Sequence, residues 1–228
     1  IRESLDAVLR RATDSGDIPG VVAMLTDGEN ILYQGAFGKR ALDAKAPMML
    51  DSVGLIASMT KALTSTAILQ LMERGKLDLD SPAATWLPAL GDVRVLEGFD
   101  AEGEPLLRAP ARPLTLRHLL THTSGFGYEF LSKDLQRYQA ARDIPELLSG
   151  QKAGLQLPLL FDPGEAWGYG IGLDWAGLVV EAVSGQSLGE YFAEHVTGRR
   201  IRDGWGRALW HDRRLHQVYA HDPQSRSR

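Results

Sequence analysis

The segment spanning residues 58–74 is the feature that most constrains the fold, because it predicts one long helix. Its apolar side chains recur at the three- and four-residue spacing of a single helix face. They form a broad stripe made of Ala62, Leu63, Ala67, Ile68, Leu71 and Met72. Gly75 follows, and glycine commonly ends a helix. The chain has 228 residues, which suffices to bury such a face in one large domain or in two small lobes.

Upstream of this helix, the sequence predicts the order helix, strand, strand. Residues 2–13 place apolar side chains at helical spacing among charged ones, which is typical of an amphipathic helix. The apolar run 21–25 predicts a buried strand. Residues 27–30 (Asp-Gly-Glu-Asn) favour a hairpin turn, and 31–33 begin the returning strand.

Downstream of the long helix, further helices dominate. We expect them at residues 115–121, 145–148, 174–183 and 187–195, where apolar side chains again follow helical spacing. Residues 92–113 are polar and contain glycine and proline, which favours an excursion or a small hairpin.

The last stretch, residues 198–228, differs in composition from the rest. It contains eight Arg and three His but no Lys and no Glu, and its apolar residues follow no helix or strand period. We therefore interpret residues 1–197 as the folded domain and 198–228 as an atypical Arg-, Trp- and His-rich tail. A disordered tail, a basic nucleic-acid tail and the product of a frameshift are three readings of it.

Composition excludes several functional classes. The net charge of -4 gives no reason to expect nucleic acid or an anionic membrane as a partner. The absence of cysteine excludes disulfides, thiolate catalysis and cysteine-ligated zinc. No apolar run approaches the ~20 residues of a membrane span. We expect a cytoplasmic protein, although periplasmic or secreted locations fit the same composition.

Ser58 and Lys61 are the first candidates for chemistry. Ser58 lies where a loop enters the long helix, near the positive end of the helix dipole. Lys61 follows one turn later on the same face. A serine hydroxyl is a weak nucleophile, and a neighbouring lysine can stabilise the alkoxide or take its proton. On these residues alone, a helix-capping serine and a solvent-facing lysine are the more common arrangement.

Tyr169 is the second candidate. It lies in a glycine-rich segment, residues 163–172, just before the apolar helix predicted at 174–183. The glycines allow the backbone to approach other elements closely, and a phenol beside cationic or polar groups can act as a general base. A tyrosine packed on a loop with its hydroxyl in water is the simpler alternative.

Other catalytic motifs are weak or missing. His118 and His122 are four residues apart, as in some zinc sites, but the glutamate of H-E-x-x-H is missing between them. We therefore favour structural histidines and expect no metal. The sequence contains no glycine-rich nucleotide loop, so a nucleotide-binding protein is not indicated. No cofactor is implied.

Four blocks in order resemble one superfamily. They are residues 56–61 (Ile-Ala-Ser-Met-Thr-Lys), 71–80, 114–125 (including Leu-Leu-Thr-His-Thr-Ser-Gly), and 163–169 followed by 174–185. Together they resemble class C β-lactamases, serine penicillin-binding proteins and, most of all, their esterase relatives, the family VIII carboxylesterases. An isolated S-x-x-K motif arises readily by chance, whereas these accompanying blocks do not.

The resemblance implies an α/β fold in which an antiparallel sheet is flanked by helices, beside a mostly helical region, with the site between them. It also implies roles. Ser58 is the acylated nucleophile and its N–H is one oxyanion donor; Lys61 assists deprotonation, and Tyr169 relays protons to and from the leaving group. Tyr128 is expected to line the acyl pocket, and the block around His118 and His122 is expected to be structural.

Two departures from the family pattern matter. The usual Y-x-N triplet is Tyr169-Gly170-Ile171, with isoleucine in place of the amide, as in the esterase branch. The family's third motif, K-T-G or H-x-G on an edge strand, is not matched within residues 198–228. We therefore expect that the C-terminal part of the fold is missing from this chain.

These observations predict a serine hydrolase that acts on small carboxylic esters, or transfers an acyl group, through an acyl-Ser58 intermediate. The expected partner is a small-molecule ester or amide, and the oligomeric state is left open. A β-lactamase or D-Ala-D-Ala carboxypeptidase is the rival enzyme. A catalytically inactive, truncated relative is the rival of another class.

Overall fold

The computed structural model describes residues 2–43 and 45–197. The chain divides into two compact units, whose described parts are residues 2–55 and residues 56–197. Within the described residues, no helix is both long and apolar enough to cross a membrane. The tail predicted at 198–228 lies outside the described residues, and the single domain predicted over 1–197 remains a prediction.

The first unit contains the predicted helix and hairpin. Helix α1 spans Arg2–Asp14, strand β1 spans Gly20–Thr26 and strand β2 spans Ile31–Gly38. The strands pair antiparallel from Gly20 opposite Gly38 to Thr26 opposite Ile31. The predicted order helix, strand, strand is therefore confirmed.

The turn and the small core explain why this unit forms. Asp27 closes the hairpin because its Oδ1 accepts hydrogen bonds from the backbone N–H groups of Glu29 and Asn30. Tyr33 and Phe37 are buried on β2. The Tyr33 hydroxyl donates to Asp6 Oδ1 of α1 at 2.7 Å, which ties the helix to the hairpin.

The second unit is mainly helical. Its helices and strands are α2 (Thr60–Glu73), β3 (Val95–Phe99), β4 (Pro105–Arg108), α3 (Leu116–Leu120), α4 (Lys133–Ala141), α5 (Gly172–Ser184) and α6 (Leu188–Tyr191). The predicted long helix is confirmed, but its regular part begins at Thr60, after a 3₁₀ turn at Ala57–Met59. The excursion predicted at 92–113 forms the antiparallel β3–β4 hairpin.

Three segments of this unit differ from the prediction. Helix α4 was not predicted, because its nine residues are mostly polar and only Leu135 and Gln139 are buried. The helix predicted at 187–195 is regular only over α6 and continues as a π-helical turn, Phe192–Thr197. The predicted helix at 145–148 is a single 3₁₀ turn at Leu147–Ser149.

The core of the second unit lies between α2 and α5, which pack against each other. From α2 it contains Ala67 and Ile68, and from α5 it contains Val179 and Val180, all of them fully buried. Helix α3 also packs on α5, through residues that include the fully buried Leu119. This helical core fixes the start of α2 and the segment that leads into α5, and these carry the candidate catalytic residues.

Candidate active site

Ser58 lies in the 3₁₀ turn that directly precedes α2. The residue before it, Ala57, has a φ of +45°, in the left-handed region that alanine rarely adopts. Such backbone strain costs on the order of 1–3 kcal/mol and is common at functional sites. The turn leaves Ser58 exposed at the N-terminal end of a long helix, where the helix dipole favours negative charge.

Lys61 is brought to Ser58 by the first turn of α2. Its Nζ lies 3.3 Å from Ser58 Oγ and donates a shorter hydrogen bond, 2.8 Å, to the hydroxyl of Tyr128. The same Nζ lies 5.1 Å from the ring centroid of Tyr169 and 5.4 Å from that of Tyr128. One ammonium group therefore faces the serine and both tyrosines, within the range of cation–π attraction.

Tyr169 approaches Ser58 from the other side. Its hydroxyl lies 2.7 Å from Ser58 Oγ and donates a hydrogen bond to it. The hydrogen bond with Ser58 and the charge of Lys61 lower the pKa of the Tyr169 phenol, against the opposing effect of burial. An ionised Tyr169 could accept the proton of Ser58 along the same hydrogen bond.

The loop that carries Tyr169 is fastened at its base by Asp162. This buried carboxylate accepts hydrogen bonds from Arg108 Nη1 at 2.9 Å and Arg108 Nη2 at 2.8 Å, and another from the Ala111 N–H at 2.7 Å. The Arg108 pairing, first, and the Ala111 hydrogen bond lower the pKa of Asp162 to about 2. Asp162 therefore stays charged at neutral pH and holds the loop to β4 and the segment after it.

The glycines of this segment allow close approach, as the sequence predicts. A Cβ at Gly170 would lie 2.2 Å from the carbonyl oxygen of Phe126 and 2.6 Å from Gly127 Cα. Both contacts are to backbone, so no side chain fits at position 170 without moving the loop. Gly164 and Gly168 are held by hydrogen bonds from their N–H groups to the carbonyls of Thr123 and His122.

Tyr128 is nearly buried, with 5% of its surface exposed, and accepts its hydrogen bond from Lys61. Its ring lies 5.3 Å from that of Tyr169 and stacks on Phe130 at 4.8 Å. The sequence pointed to Tyr128 but missed its contact with Lys61, because 67 residues separate the two and no spacing reveals the approach. The predicted role in the acyl pocket remains a prediction.

The two histidines have separate surroundings. His118 belongs to the capping box of α3, where its Nδ1 accepts the Thr115 N–H at 3.2 Å. The ring of His122 lies 4.8 Å from Tyr169 and 6.0 Å from Trp167. Across the residues described, no group of three or more His, Asp or Glu side chains is placed to hold a metal ion.

Comparison with known proteins assigns this chain to a family. The beta-lactamase family model matches residues 5–227. The chain belongs to the beta-lactamase family. The resemblance seen in the four sequence blocks is thereby confirmed, and the antiparallel strands and helices described above are part of a beta-lactamase-like fold.

Curated relatives of this beta-lactamase-family chain are esterases and acyltransferases. It is 41% identical over 202 residues to monacolin J acid methylbutanoyltransferase of Aspergillus terreus, covering 84% of this chain and 48% of that protein. It is 40% identical over 200 residues to lovastatin esterase of Penicillium rubens, covering 84% and 49%. Esterase EstB of Burkholderia gladioli is 35% identical over 199 residues, covering 81% and 46%.

Solved structures of related proteins also resemble this chain. Unliganded simvastatin synthase (LovD) from Aspergillus terreus has a TM-score of 0.75 and 40% identity, covering 85% of this chain and 51% of that one. EstCE1, a hydrolase with promiscuous acyltransferase activity, has a TM-score of 0.69 and 25% identity, covering 86% and 50%. The chain thus spans about half the length of the relatives it matches.

Position 171, where the sequence resemblance implied an amide, is occupied by a fully buried isoleucine. Ile171 is the N-cap residue of α5, and its backbone carbonyl accepts hydrogen bonds from the N–H groups of Asp174 and Trp175. Its side chain therefore belongs to the core and presents no polar group to a substrate. Residues 198–228, which do not match the family's third motif (K-T-G or H-x-G), lie outside the described residues.

Proposed function

We propose that this chain is a serine hydrolase that acts on small carboxylic esters, by hydrolysis or by acyl transfer, through an acyl-Ser58 intermediate. The observation that carries the proposal is the position of Ser58 Oγ, which lies 2.7 Å from the Tyr169 hydroxyl and 3.3 Å from Lys61 Nζ. These are the distances that a nucleophile and its activating groups require.

Acylation follows from this geometry. The ionised oxygen of Tyr169 takes the proton of Ser58 while Ser58 Oγ forms a bond to the ester carbonyl carbon. When the tetrahedral intermediate collapses, the bond to the leaving alcohol breaks, and Tyr169 returns the proton to that oxygen. Lys61 Nζ, 3.3 Å from Ser58 Oγ, stabilises the negative charge that moves between Ser58 and Tyr169.

The backbone N–H of Ser58 is the proposed donor to the oxyanion, because it lies at the entrance to α2. Loss of one comparable donor costs roughly 3 kcal/mol of transition-state stabilisation. The family resemblance assigns a second donor to the third motif, which residues 198–228 do not match.

Deacylation uses the same groups in reverse. Tyr169 takes a proton from the incoming water or alcohol, whose oxygen attacks the acyl carbon, and Ser58 regains the proton as its bond to the acyl group breaks. Water gives hydrolysis and an alcohol gives acyl transfer. Relatives named as an esterase and as a methylbutanoyltransferase support both outcomes for one active-site chemistry.

The buried Ile171 favours esters over β-lactams or peptides. The family resemblance implies an amide here that contacts the acylamide group of a β-lactam or peptide, whereas Ile171 has no polar side-chain atom and is fully buried. We therefore prefer ester chemistry to the rival activity of a β-lactamase or D-Ala-D-Ala carboxypeptidase.

The test is turnover of p-nitrophenyl acetate by the wild type, Ser58→Ala and Tyr169→Phe. We expect no turnover above background from Ser58→Ala and a loss of at least about a hundredfold from Tyr169→Phe, the scale of general-base catalysis. Nitrocefin hydrolysis faster than ester hydrolysis would favour the β-lactamase instead. Activity that survives in Ser58→Ala would overturn the mechanism.

A fluorophosphonate probe distinguishes a reactive serine from the serine of a catalytically inactive relative. We expect the mass of the wild-type chain to increase by one phosphonyl group, located on Ser58, and that of Ser58→Ala to remain unchanged. A wild-type chain that melts cooperatively but takes up no probe would support a catalytically inactive relative.

A further inference from the structure

His122 contacts the loop that carries the proposed base in two ways. Its ring lies against Tyr169 at 4.8 Å, tilted by 49°, and against the edge of Trp167 at 6.0 Å. Its backbone carbonyl accepts a hydrogen bond of 2.8 Å from the N–H of Gly168, the residue between those two aromatic side chains. Three consecutive residues of the loop are thus held by one histidine.

The backbone of His122 has an unusual conformation, which supports these contacts. Its φ is +58°, in the left-handed region, just beyond the end of α3. Histidine, asparagine and aspartate adopt this conformation more readily than most other residues. The conformation reverses the chain after α3, and the ring and the carbonyl of the same residue both contact the loop of Tyr169.

The charges around His122 favour a neutral ring. Burial, first, and the positive charge of Lys61 lower the pKa of His122 below its ordinary value of 6.5. The charged and titratable groups that face it are Lys61 of α2 and the phenol of Tyr169. At neutral pH the ring is therefore an uncharged packing surface, and it adds no second cation beside Lys61.

We propose that His122 is a positioning residue for Tyr169. Its ring and its carbonyl hold the loop 167–169 so that the phenol oxygen stays at Ser58, and the imidazole exchanges no proton with the substrate. The inference rests on the proposed function of Tyr169 as the base. It goes beyond the purely structural role that the sequence indicated for this histidine, because it predicts an effect on the rate at which Ser58 reacts.

The experiment compares two substitutions in the full chain. His122→Asn keeps a residue suited to the left-handed backbone and keeps the carbonyl, but it removes the ring. His122→Phe keeps a ring without the imidazole nitrogens. We expect His122→Asn to react with a fluorophosphonate on the order of tenfold more slowly, since small displacements of a catalytic group reduce rates steeply. His122→Phe should recover most of the rate per folded molecule.

His118→Asn is the matched control. It removes a half-buried histidine from the same segment, one that also has a lowered pKa but caps α3. Among the ring contacts of the described residues, His118 has none with Tyr169 or Tyr128. We expect a lower Tm with an unchanged labelling rate per folded molecule. Where ester turnover is measurable, His122→Asn should lower kcat and leave KM nearly unchanged.

A second measurement reads the phenol directly. Near-ultraviolet titration of the wild type minus Tyr169→Phe gives the ionisation of Tyr169, and we expect His122→Asn to move its pKa towards the ordinary value for tyrosine. A folded His122→Asn protein with wild-type labelling and unchanged Tyr169 ionisation would overturn the positioning role. Equal labelling of wild type and Ser58→Ala would instead refute the proposed function, whatever the His122 variants do.

Discussion

Among the single residues of the site, Lys61 is the one on which the other groups converge. Its shortest described hydrogen bond is to Tyr128, at 2.8 Å, and this bond fixes the ammonium between Ser58 and Tyr169. Hydrogen bonds to charged groups contribute roughly 1.5–3 kcal/mol, more than those between neutral groups. Tyr128 therefore determines where the positive charge of the site lies, although it does not touch Ser58 by any described hydrogen bond.

Tyr128→Phe tests this role of the hydroxyl. The substitution keeps the ring packed on Phe130 and removes only the group that accepts from Lys61. We expect on the order of tenfold slower labelling of Ser58, which corresponds to about 1.4 kcal/mol, with a Tm that changes little.

Tyr138→Phe on α4 is the control for Tyr128→Phe, because it removes a hydroxyl from a half-buried tyrosine outside the site. It should leave the labelling rate unchanged. An equal rate for Tyr128→Phe and wild type would mean that Lys61 needs no anchor.

The sequence indicated the residues that the structure brings together better than it indicated what holds them. Ser58 and Lys61 are one helical turn apart, so their contact is visible as a spacing. The contacts of Tyr128 with Lys61 and of His122 with Tyr169 join segments far apart in the chain, and no periodicity encodes them. The positive φ of Ala57 is also invisible in the sequence, because alanine gives no signal for a left-handed backbone.

At the scale of elements, the position of Tyr169 depends on how its loop is attached to its neighbours. The β3–β4 hairpin matters here, since Leu159 exchanges backbone hydrogen bonds with Arg94 and Leu96 and so continues the small sheet towards Asp162. Arg108 at the end of β4 then pairs with Asp162. The excursion that looked like a polar insertion in the sequence therefore supports the loop of the proposed base.

Asp162→Asn tests this attachment. Because the folded-state pKa of Asp162 is lowered from 3.8 to about 2, its ionised form stabilises the fold above about pH 4, and this contribution is lost as the pH falls from about 4 to 2. We expect Asp162→Asn to lower the Tm by on the order of 5 °C at pH 7 and by less at pH 3. Thermal melts across this pH range measure the difference.

Asp80→Asn is the matched control for Asp162→Asn, because Asp80 also pairs with an arginine, Arg117, but both side chains are more than half exposed. Exposed pairs contribute little to stability, so its Tm should hardly change at any pH. A Tm loss as large for Asp80→Asn as for Asp162→Asn would contradict the special role of the Asp162 attachment.

Helices rich in apolar residues were predictable, and a helix made mostly of polar residues was not. Helices α2 and α5 are rich in apolar residues and pack against each other, so they are clear in the sequence. Helix α4 lies on the surface with a mostly polar sequence, and its Ser132 cap is a signal too short to stand alone. The π-helical turn after α6 is a local change in the helix that no residue pattern predicts.

At the scale of the whole molecule, stability is distributed unevenly between the two units. In the described part of the first unit, only Tyr33 and Phe37 are buried apolar side chains, and its sheet has two strands. Two-stranded hairpins are marginal without further packing. The second unit contains the fully buried contacts of α2 with α5, so we expect the most stable backbone there.

Native-state hydrogen exchange measures this distribution. We expect the amides of α2 and α5 to exchange more slowly than those of β1 and β2, because exchange follows local opening and opening is harder where more apolar area is buried. Val179→Ala should speed exchange in α2 and α5, since deleting methyl groups from a fully buried site costs about 2 kcal/mol. Val8→Ala, at a position 53% exposed on α1, is the control and should change little. Equal protection of the hairpin and the helical core would refute this ranking.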